Sequence, residues 1–334
     1  MTNRQIRVKE LPKGTLTIEH FEAHSAERPS PGEGELLLKV ILMSIDAANR
    51  SWLQGATYRE AVKAGDAMPT YAICEVVESN SPRIAVGDIV ASEAVWADYV
   101  VQPAHKVQKM PKVAQLSNLI SVFGIAGKTA YHGLIGVGNP VAGETVLVSA
   151  AAGSVGGYVG QIAKALGCRV VGIAGGPEKC QWVVDELGFD ACVDYRDPGM
   201  FKALRAACPD GVDVYFDNVG GPVLETALFV MNERGRIVCC GAISQYDTEN
   251  ATGPRNLPGL VVVKRLRMEG FIVMDFARDD AKAVRALQHW VGTGQIKVTE
   301  DIVDGLENAP AALIGLLAGD NKGKRMVRVA PDPS

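Results

Sequence analysis

The chain has 334 residues, of which 47% are hydrophobic and 22% charged, and its formal net charge is -4. This length favours two domains over a single core, and the composition is that of an ordinary globular protein. The slightly acidic balance excludes a broad basic surface for nucleic acid, so an anionic ligand would have to be bound by a local pocket. No apolar run reaches the ~18 residues of a membrane helix, and the polar start, Met1 to Glu10, predicts no secretory signal.

The first part of the chain, residues 1–122, reads as a β-rich domain. Short apolar runs alternate there with turn signals, which is typical of strands. The turn Pro29–Gly34 leads into Leu36–Ile41, a predicted buried strand, and shorter runs follow at Val86–Val90 and Tyr99–Val101.

Residues 123–298 show a different pattern, in which apolar β-branched runs alternate with helical segments. This alternation predicts an α/β domain with a doubly wound parallel sheet. The six predicted strands are Thr145–Ser149, Arg169–Ile173, Ala191–Tyr195, Val212–Phe216, Arg236–Cys240 and Arg267–Val273. The remaining residues, 299–334, contain a helix and a closing strand, Arg325–Val329, which we expect to return to the first domain.

A turn of small residues joins the first of these strands to a helix. Ala150, Gly153 and Gly156 recur at a spacing of three, and the next strand follows at the expected distance. A pyrophosphate must approach such a backbone closely, and the free N–H groups and dipole of the helix stabilise its charge. The turn therefore predicts a dinucleotide site; the alternative is that its small residues serve only tight packing.

The end of the second strand predicts which dinucleotide binds. An NAD enzyme usually has an acidic residue there for the ribose 2′-hydroxyl, but this chain has Ala174–Pro177, with Lys179 soon after. Space and a cation favour a 2′-phosphate, and Tyr195 could add a hydroxyl, so the cofactor is predicted to be NADP(H). Lys179 is also consistent with a solvated helix residue. Two further strand ends contain glycine: Phe216–Gly221 and Cys240–Ser244. Their backbones could lie close to the nicotinamide ribose, or they could simply form turns.

Cysteine and histidine usage argues against a metal site. The seven cysteines are an odd number without paired spacing, which predicts free thiols in a reducing cytoplasm. A zinc dehydrogenase needs Cys and His ligands around an open position, yet no Cys stands near Met43–Asp46, and no four-cysteine cluster exists. The candidate ligands of the first domain are only Cys74, His20, His24 and His105. We therefore predict a zinc-free site, which disfavours alcohol oxidation.

The run Val148–Lys164 resembles the medium-chain dehydrogenase/reductase superfamily. It is most similar to the zinc-independent branch of leukotriene B4 dehydrogenase/prostaglandin reductases and alkenal and curcumin reductases. The likeness continues through Ala174–Lys179, Phe216–Gly221, Cys240–Tyr246, Arg267–Phe271 and Gly319–Lys324.

This resemblance implies a GroES-like catalytic domain beside a Rossmann domain, a substrate site between them, and a homodimer. It also implies that the chain binds NADPH through a set of residues in several segments. They are Gly153, Ser154, Val155, Gly156, Lys179, Tyr195, Asn218, Gly241, Ala242, Ile243, Ser244, Tyr246, Phe271, Ile272, Val273 and Asn321.

The predicted reaction is reduction of the activated C=C bond of an α,β-unsaturated aldehyde or ketone, with hydride from NADPH. Negative charge then develops on the carbonyl oxygen, and a hydrogen-bond donor aimed there lowers the barrier. Tyr246 is the first candidate for this donor and for the proton, and Tyr58 is the second. A phenol that only positions the cofactor is the alternative for Tyr246, and a loop aromatic is the alternative for Tyr58. The open alternatives for the whole chain are an NADPH quinone reductase and a non-catalytic NADPH-binding sensor.

Overall fold

The computed structural model describes residues 2–57, 59–111, 113–248, 250 and 252–333. The chain forms two compact units: unit 1 runs up to Ile120 and resumes at Glu300, and unit 2 is Ser121–Thr299. The strands, in chain order, are β1 (Thr2–Val8), β2 (Phe21–Glu27), β3 (Glu35–Ser44), β4 (Pro69–Ser79), β5 (Ile89–Val95), β6 (Tyr99–Pro103), β7 (Gln108–Lys109), β8 (Thr145–Ser149), β9 (Arg169–Ala174), β10 (Ala191–Asp194), β11 (Val212–Asp217), β12 (Met231–Cys239), β13 (Arg267–Gly270), β14 (Glu300–Asp304) and β15 (Lys324–Arg328).

Apart from one short helix near the start, the α-helices of the described residues lie after residue 124. They are α1 (Ala48–Ser51), α2 (Ile125–Tyr131), α3 (Ser154–Ala165), α4 (Pro177–Leu187), α5 (Met200–Ala207), α6 (Gly221–Val230), α7 (Leu257–Lys264), α8 (Asp280–Gly292) and α9 (Ala309–Ala318). Short 3-10 helices occur at Ile18–His20, Ala104–Lys106, Leu116–Leu119, Ile243–Gln245, Val273–Asp279 and Leu306–Asn308, and α2 continues as a π-helical segment, His132–Gly138. In the described part of the chain, every helix is too short or too polar to cross a membrane.

Unit 1 is built on a sheet with the order β14-β15-β3-β4-β5-β7, and β6 also pairs with β3. Its central strand β3 is buried along almost its whole length, as a strand covered on both faces must be apolar. The closing strand β15 lies antiparallel to β3, with Met326 opposite Ser44. The last segment of the chain therefore completes the sheet that the first segment begins.

Unit 2 contains a parallel sheet with the order β10-β9-β8-β11-β12-β13. All five residues of β8 are buried, because helices cover both faces of the sheet. Val146 and Val148 pack in one core with residues of α2, α3, α4 and α8, whereas Leu147 faces a second core with residues of α5 and α6. The strand order reverses between β8 and β11, so their carboxyl ends form the switch point where such sheets bind ligands. The fold class predicted from the sequence, a doubly wound parallel sheet with a separate β-rich domain, is confirmed.

Candidate functional site

The turn between β8 and α3 leaves no room for a side chain at Gly156. Ala150 adopts a left-handed conformation, with a φ of 51°, and its carbonyl oxygen accepts a hydrogen bond from the N–H of Gly153 at 2.9 Å. A Cβ at Gly156 would lie 2.3 Å from that same oxygen. The close approach of α3 to the end of β8 therefore requires glycine at this position, whatever the turn binds.

A second observation at this turn fits an anionic ligand. The hydroxyl of Ser154, the first residue of α3, is buried and meets no hydrogen-bond partner among the described residues. An unsatisfied buried hydroxyl is unfavourable, and the first N–H groups of a helix also need acceptors. A phosphate oxygen would supply both needs, so the predicted residues Gly153–Gly156 fit the pyrophosphate of a dinucleotide.

The turn after β9 brings two predicted residues together. Gly176 has a φ of 91° and donates its N–H to Asp194 Oδ1 at 2.8 Å, which fixes the turn against the end of β10. Tyr195 follows β10, is 45% exposed, and has its ring 2.8 Å from the position that a Cβ would take on Gly175. Lys179 is half-buried in the first turn of α4. The Tyr195 ring therefore occupies the space that a side chain at Gly175, where an NAD enzyme would carry its acidic residue, would need.

A buried carboxylate at the end of β11 organises the neighbouring loops. Asp217 is 2% exposed, and its Oδ1 accepts hydrogen bonds from the hydroxyl of Tyr215 at 2.7 Å and from that of Ser149 at 3.2 Å. The same oxygen accepts the N–H groups of Val219 at 3.0 Å and Gly220 at 2.9 Å. Burial, followed by the Asp217 charge, holds the pKa of Tyr215 well above its usual range, so this phenol stays a donor.

Asn218 is fixed against the end of β8 by two hydrogen bonds. Its N–H donates to Ser149 Oγ at 2.9 Å, and its side-chain amide donates to the Ser149 carbonyl at 2.8 Å. Because Ser149 is the last residue before the glycine-rich turn, Asn218 lies at the switch point of the sheet. The structure thus places this predicted residue beside the start of that turn.

The loop after β12 is attached to the loop after β11 by backbone hydrogen bonds. The N–H groups of Cys240 and Gly241 donate to the Asp217 carbonyl at 2.9 and 3.2 Å. The N–H of Ile243 donates to the Asn218 carbonyl at 3.2 Å. The carboxyl ends of β8, β11 and β12 therefore form one continuous rim, which carries most of the predicted cofactor residues.

Tyr246 folds back over this rim. Its phenol oxygen accepts the N–H of Ala242 at 3.1 Å and lies 3.4 Å from the position that a Cβ would take on Gly241. The side chain is only partly exposed. Because the phenol oxygen is the acceptor in this bond, the Tyr246 hydroxyl hydrogen remains able to donate to another group.

The remaining predicted residues lie in other places. Phe271 packs edge-on against Phe216, with ring centroids 6.3 Å apart, and its ring reaches within 2.4 Å of the position that a Cβ would take on Gly133 in the π-helical segment. Ile272 is 38% exposed, and Val273 begins a 3-10 helix. Asn321 belongs to unit 1, where its amide donates to the Gly323 carbonyl at 2.8 Å. Tyr58 lies outside the described residues.

Three residues important for this geometry were not identified from the sequence: Ser149, Asp194 and Asp217. Each is the last residue of a strand that points at the ligand edge of the sheet. Acceptors at the ends of adjacent parallel strands are a signal that could have found them. The position of an acceptor at a strand end does not indicate which N–H group donates to it.

Two fully buried thiols are poorly suited to bind a metal. Burial raises the pKa of Cys74 to about 12, and burial with the Asp217 charge raises that of Cys240 to about 12. Metals bind thiolates, so these groups stay protonated and weak as ligands at neutral pH. Among the residues that the structure describes, no three His, Cys, Asp or Glu side chains are grouped to hold a metal ion.

The glycine-rich turn lies at the switch point of a doubly wound sheet, an arrangement typical of dinucleotide-binding domains. Two family descriptions match the chain: the N-terminal domain of oxidoreductase over residues 4–110, and the zinc-binding dehydrogenase over residues 154–289.

Individual relatives match over the full length. The NADPH-dependent curcumin reductase of Escherichia coli is 40% identical over 99% of this chain and 98% of its own. The NADP(+)-dependent 2-alkenal reductase of Nicotiana tabacum is 39% identical over the same shares. The crystal structure of CurA from Vibrio vulnificus in complex with NADPH is 37% identical, with a TM-score of 0.95 over 98% of this chain and 100% of that one. The chain belongs to the medium-chain dehydrogenase/reductase superfamily, in the branch that contains these reductases, and the family predicted from the sequence is confirmed.

Proposed function

We propose that the chain reduces the activated C=C bond of α,β-unsaturated aldehydes or ketones with NADPH. The observation that carries the proposal is the shared rim of β8, β11 and β12, which brings the glycine-rich turn, Asn218 and Tyr246 to one edge of the sheet. The E. coli and tobacco relatives are NADPH-dependent reductases of this kind. The activity and cofactor predicted from the sequence agree with theirs.

The cofactor would be held by groups that the structure leaves suited to it. Ser154 and the first N–H groups of α3 would donate hydrogen bonds to the pyrophosphate oxygens, and Lys179 and Tyr195 would flank the 2′-phosphate. The rim residues Asn218 and Gly241–Tyr246 would line the nicotinamide end. Phe271–Val273 and Asn321 stay in this proposal as the family resemblance implies them.

NADPH, when bound, supplies a hydride for the β-carbon of the substrate. The chain must then stabilise charge at the carbonyl oxygen and see that a proton reaches the α-carbon, so that C=C becomes CH–CH. Tyr246 is suited to the first task because its oxygen already accepts the Ala242 N–H and its own hydrogen is left to donate. It can also release that proton to the α-carbon, directly or through water. Tyr58 stays the second candidate.

Replacing Tyr246 by phenylalanine is expected to lower kcat by about 100-fold, because it removes a donor to developing negative charge. KM for NADPH should change less, since the ring still fills the rim. Steady-state kinetics with a saturating enal measure both values. Tyr131→Phe is the matched control: Tyr131 is a buried core phenol of the same unit. A variant with normal kcat and weaker NADPH binding would instead assign Tyr246 to positioning the cofactor.

The activity itself is tested by following loss of NADPH and NADH absorbance with enals, enones, quinones and ketone/alcohol pairs, with and without a chelator. We expect fast, chelator-insensitive oxidation of NADPH by enals or enones, and much slower oxidation of NADH. Turnover with quinones alone would identify a quinone reductase. Tight NADPH binding without turnover of any acceptor would identify a sensor.

The predicted homodimer also belongs to this proposal. Strand β13 is an edge of the unit 2 sheet, and all four of its residues are exposed. Nearby segments of the chain expose apolar side chains, with Val262 72% and Val263 67% exposed in α7. An unpaired edge with apolar surface favours pairing with a second copy about a two-fold axis.

Sedimentation should give twice the 35.5 kDa mass of one chain. Val263→Glu should shift the equilibrium toward monomer, because the interface would bury its charge. Val86→Glu is the matched control, since Val86 is 63% exposed in unit 1. A monomeric wild-type protein would contradict the dimer without affecting the reductase proposal.

The predicted compartment, a reducing cytoplasm, is also part of the proposal. The seven cysteines are free in the structure, which supports it.

A further inference from the structure

A second cation, besides Lys179, stands at the turn after β9. Arg196 follows Tyr195, and its Nε lies 3.1 Å from the position that a Cβ would take on Gly175. One of its terminal nitrogens, Nη1, lies 3.9 Å from the corresponding position on Gly176. The guanidinium therefore lies directly beside Gly175 and Gly176, partly in the space that a side chain at Gly175 would need.

Arg196 is held through both its backbone and its side chain. Asp194 Oδ1 accepts the backbone N–H of Arg196 at 2.9 Å and that of Gly176 at 2.8 Å, so one oxygen joins the strand end to the turn. The guanidinium carbon also lies 5.7 Å from the ring centroid of Tyr195, within cation–π range. A side chain fixed by its neighbours loses less conformational freedom when it binds a ligand.

The chemistry of this arrangement suits a phosphate monoester. Arginine presents a planar set of N–H donors that match phosphate oxygens two at a time, and it stays charged at all relevant pH values. We propose that Arg196 selects NADP(H) over NAD(H) by binding the 2′-phosphate together with Lys179 and Tyr195. This inference rests on the proposed function, because it assigns a residue to the cofactor of that function.

The test compares binding of NADP+ and NAD+ by titration calorimetry, without turnover. Arg196→Gln should weaken NADP+ binding about tenfold and leave NAD+ within about twofold. The fragments 2′-AMP and 5′-AMP should show the same contrast. Arg196→Lys should recover part of the loss, since it keeps the charge but not the planar donors. The difference should shrink at high salt, because Arg196 is exposed.

Arg205→Gln is the matched control. Arg205 is an exposed arginine of the same unit, with its guanidinium carbon 5.9 Å from the ring centroid of Phe201. It should change neither cofactor's affinity. The inference is overturned if Arg196→Gln weakens NADP+ and NAD+ binding equally, or weakens neither. In that case a wild-type protein that still prefers NADP+ would leave the proposed function intact. Wild-type protein that binds both cofactors equally would overturn both.

Discussion

Asp217→Ala is expected to lower the free energy of unfolding by about 4 kcal/mol and to weaken NADP+ binding by at least tenfold. Asp217 Oδ1 is the shared acceptor of two hydroxyls and two backbone N–H groups, and the side chain is almost fully buried. Alanine would leave these donors without the acceptor, and each unsatisfied buried donor costs about 1–3 kcal/mol. Cofactor affinity should fall because Asn218 and the Gly241 loop depend on the same backbone segment.

Urea denaturation and NADP+ titration measure the two effects separately. Asp210→Ala is the control, because Asp210 is an exposed carboxylate of the same unit. Asp217→Asn should be milder, since an amide oxygen still accepts hydrogen bonds. Tyr215→Phe should lose stability but keep most of the cofactor affinity, because it removes one donor and leaves the loop N–H groups paired. An Asp217→Ala protein as stable as the Asp210 control would contradict the role of this carboxylate.

The architecture of unit 2 could be predicted because its signals are local. Each buried parallel strand is a short apolar run, and each helix carries its own start and stop residues, such as Pro177 and Gly188 around α4. The glycine-rich turn could be predicted for the same reason. The backbone at position 156 has no room for a Cβ, so the constraint appears in the sequence as a glycine. In these places a single segment of sequence already contains the physical constraint.

The rest depends on which groups meet across the fold. The bonds from Ser149 and Tyr215 to Asp217 connect neighbouring strands, and no spacing along the chain encodes their directions. The same holds for Arg196, because its position is defined by glycines about twenty residues earlier in the chain. The π-helical continuation of α2 was equally hidden, since Gly133 is required there by the ring of Phe271 from a distant segment.

Unit 1 contains an ion pair between a buried lysine and a half-buried aspartate, in the stretch after β3 where no cysteine stands. Lys324 is fully buried, and its ammonium donates to Asp46 Oδ1 at 2.6 Å and to the Ile45 carbonyl at 3.0 Å. The hydroxyl of Ser44 donates to the other carboxylate oxygen of Asp46. Because β15 and β3 are neighbours, this pair joins the end of the chain to the segment after the central strand.

Asp46→Ala is expected to lower the free energy of unfolding by about 3–5 kcal/mol, because it leaves a charged ammonium buried beside a single carbonyl. Lys324→Met should cost less, about 1–2 kcal/mol, since the Asp46 side chain is 35% exposed and water can solvate the remaining carboxylate. Denaturant unfolding of both variants measures this asymmetry.

The double variant Asp46→Ala/Lys324→Met completes the comparison, because it removes both charges with the same two substitutions. If the pair matters mainly as mutual compensation of two charges, the double variant should be more stable than Asp46→Ala alone. Strictly additive losses would mean that each side chain acts through separate contacts, such as the Ser44 hydroxyl for Asp46. The coupling free energy between the two substitutions therefore distinguishes an ion pair that stabilises this sheet from two polar side chains that act independently.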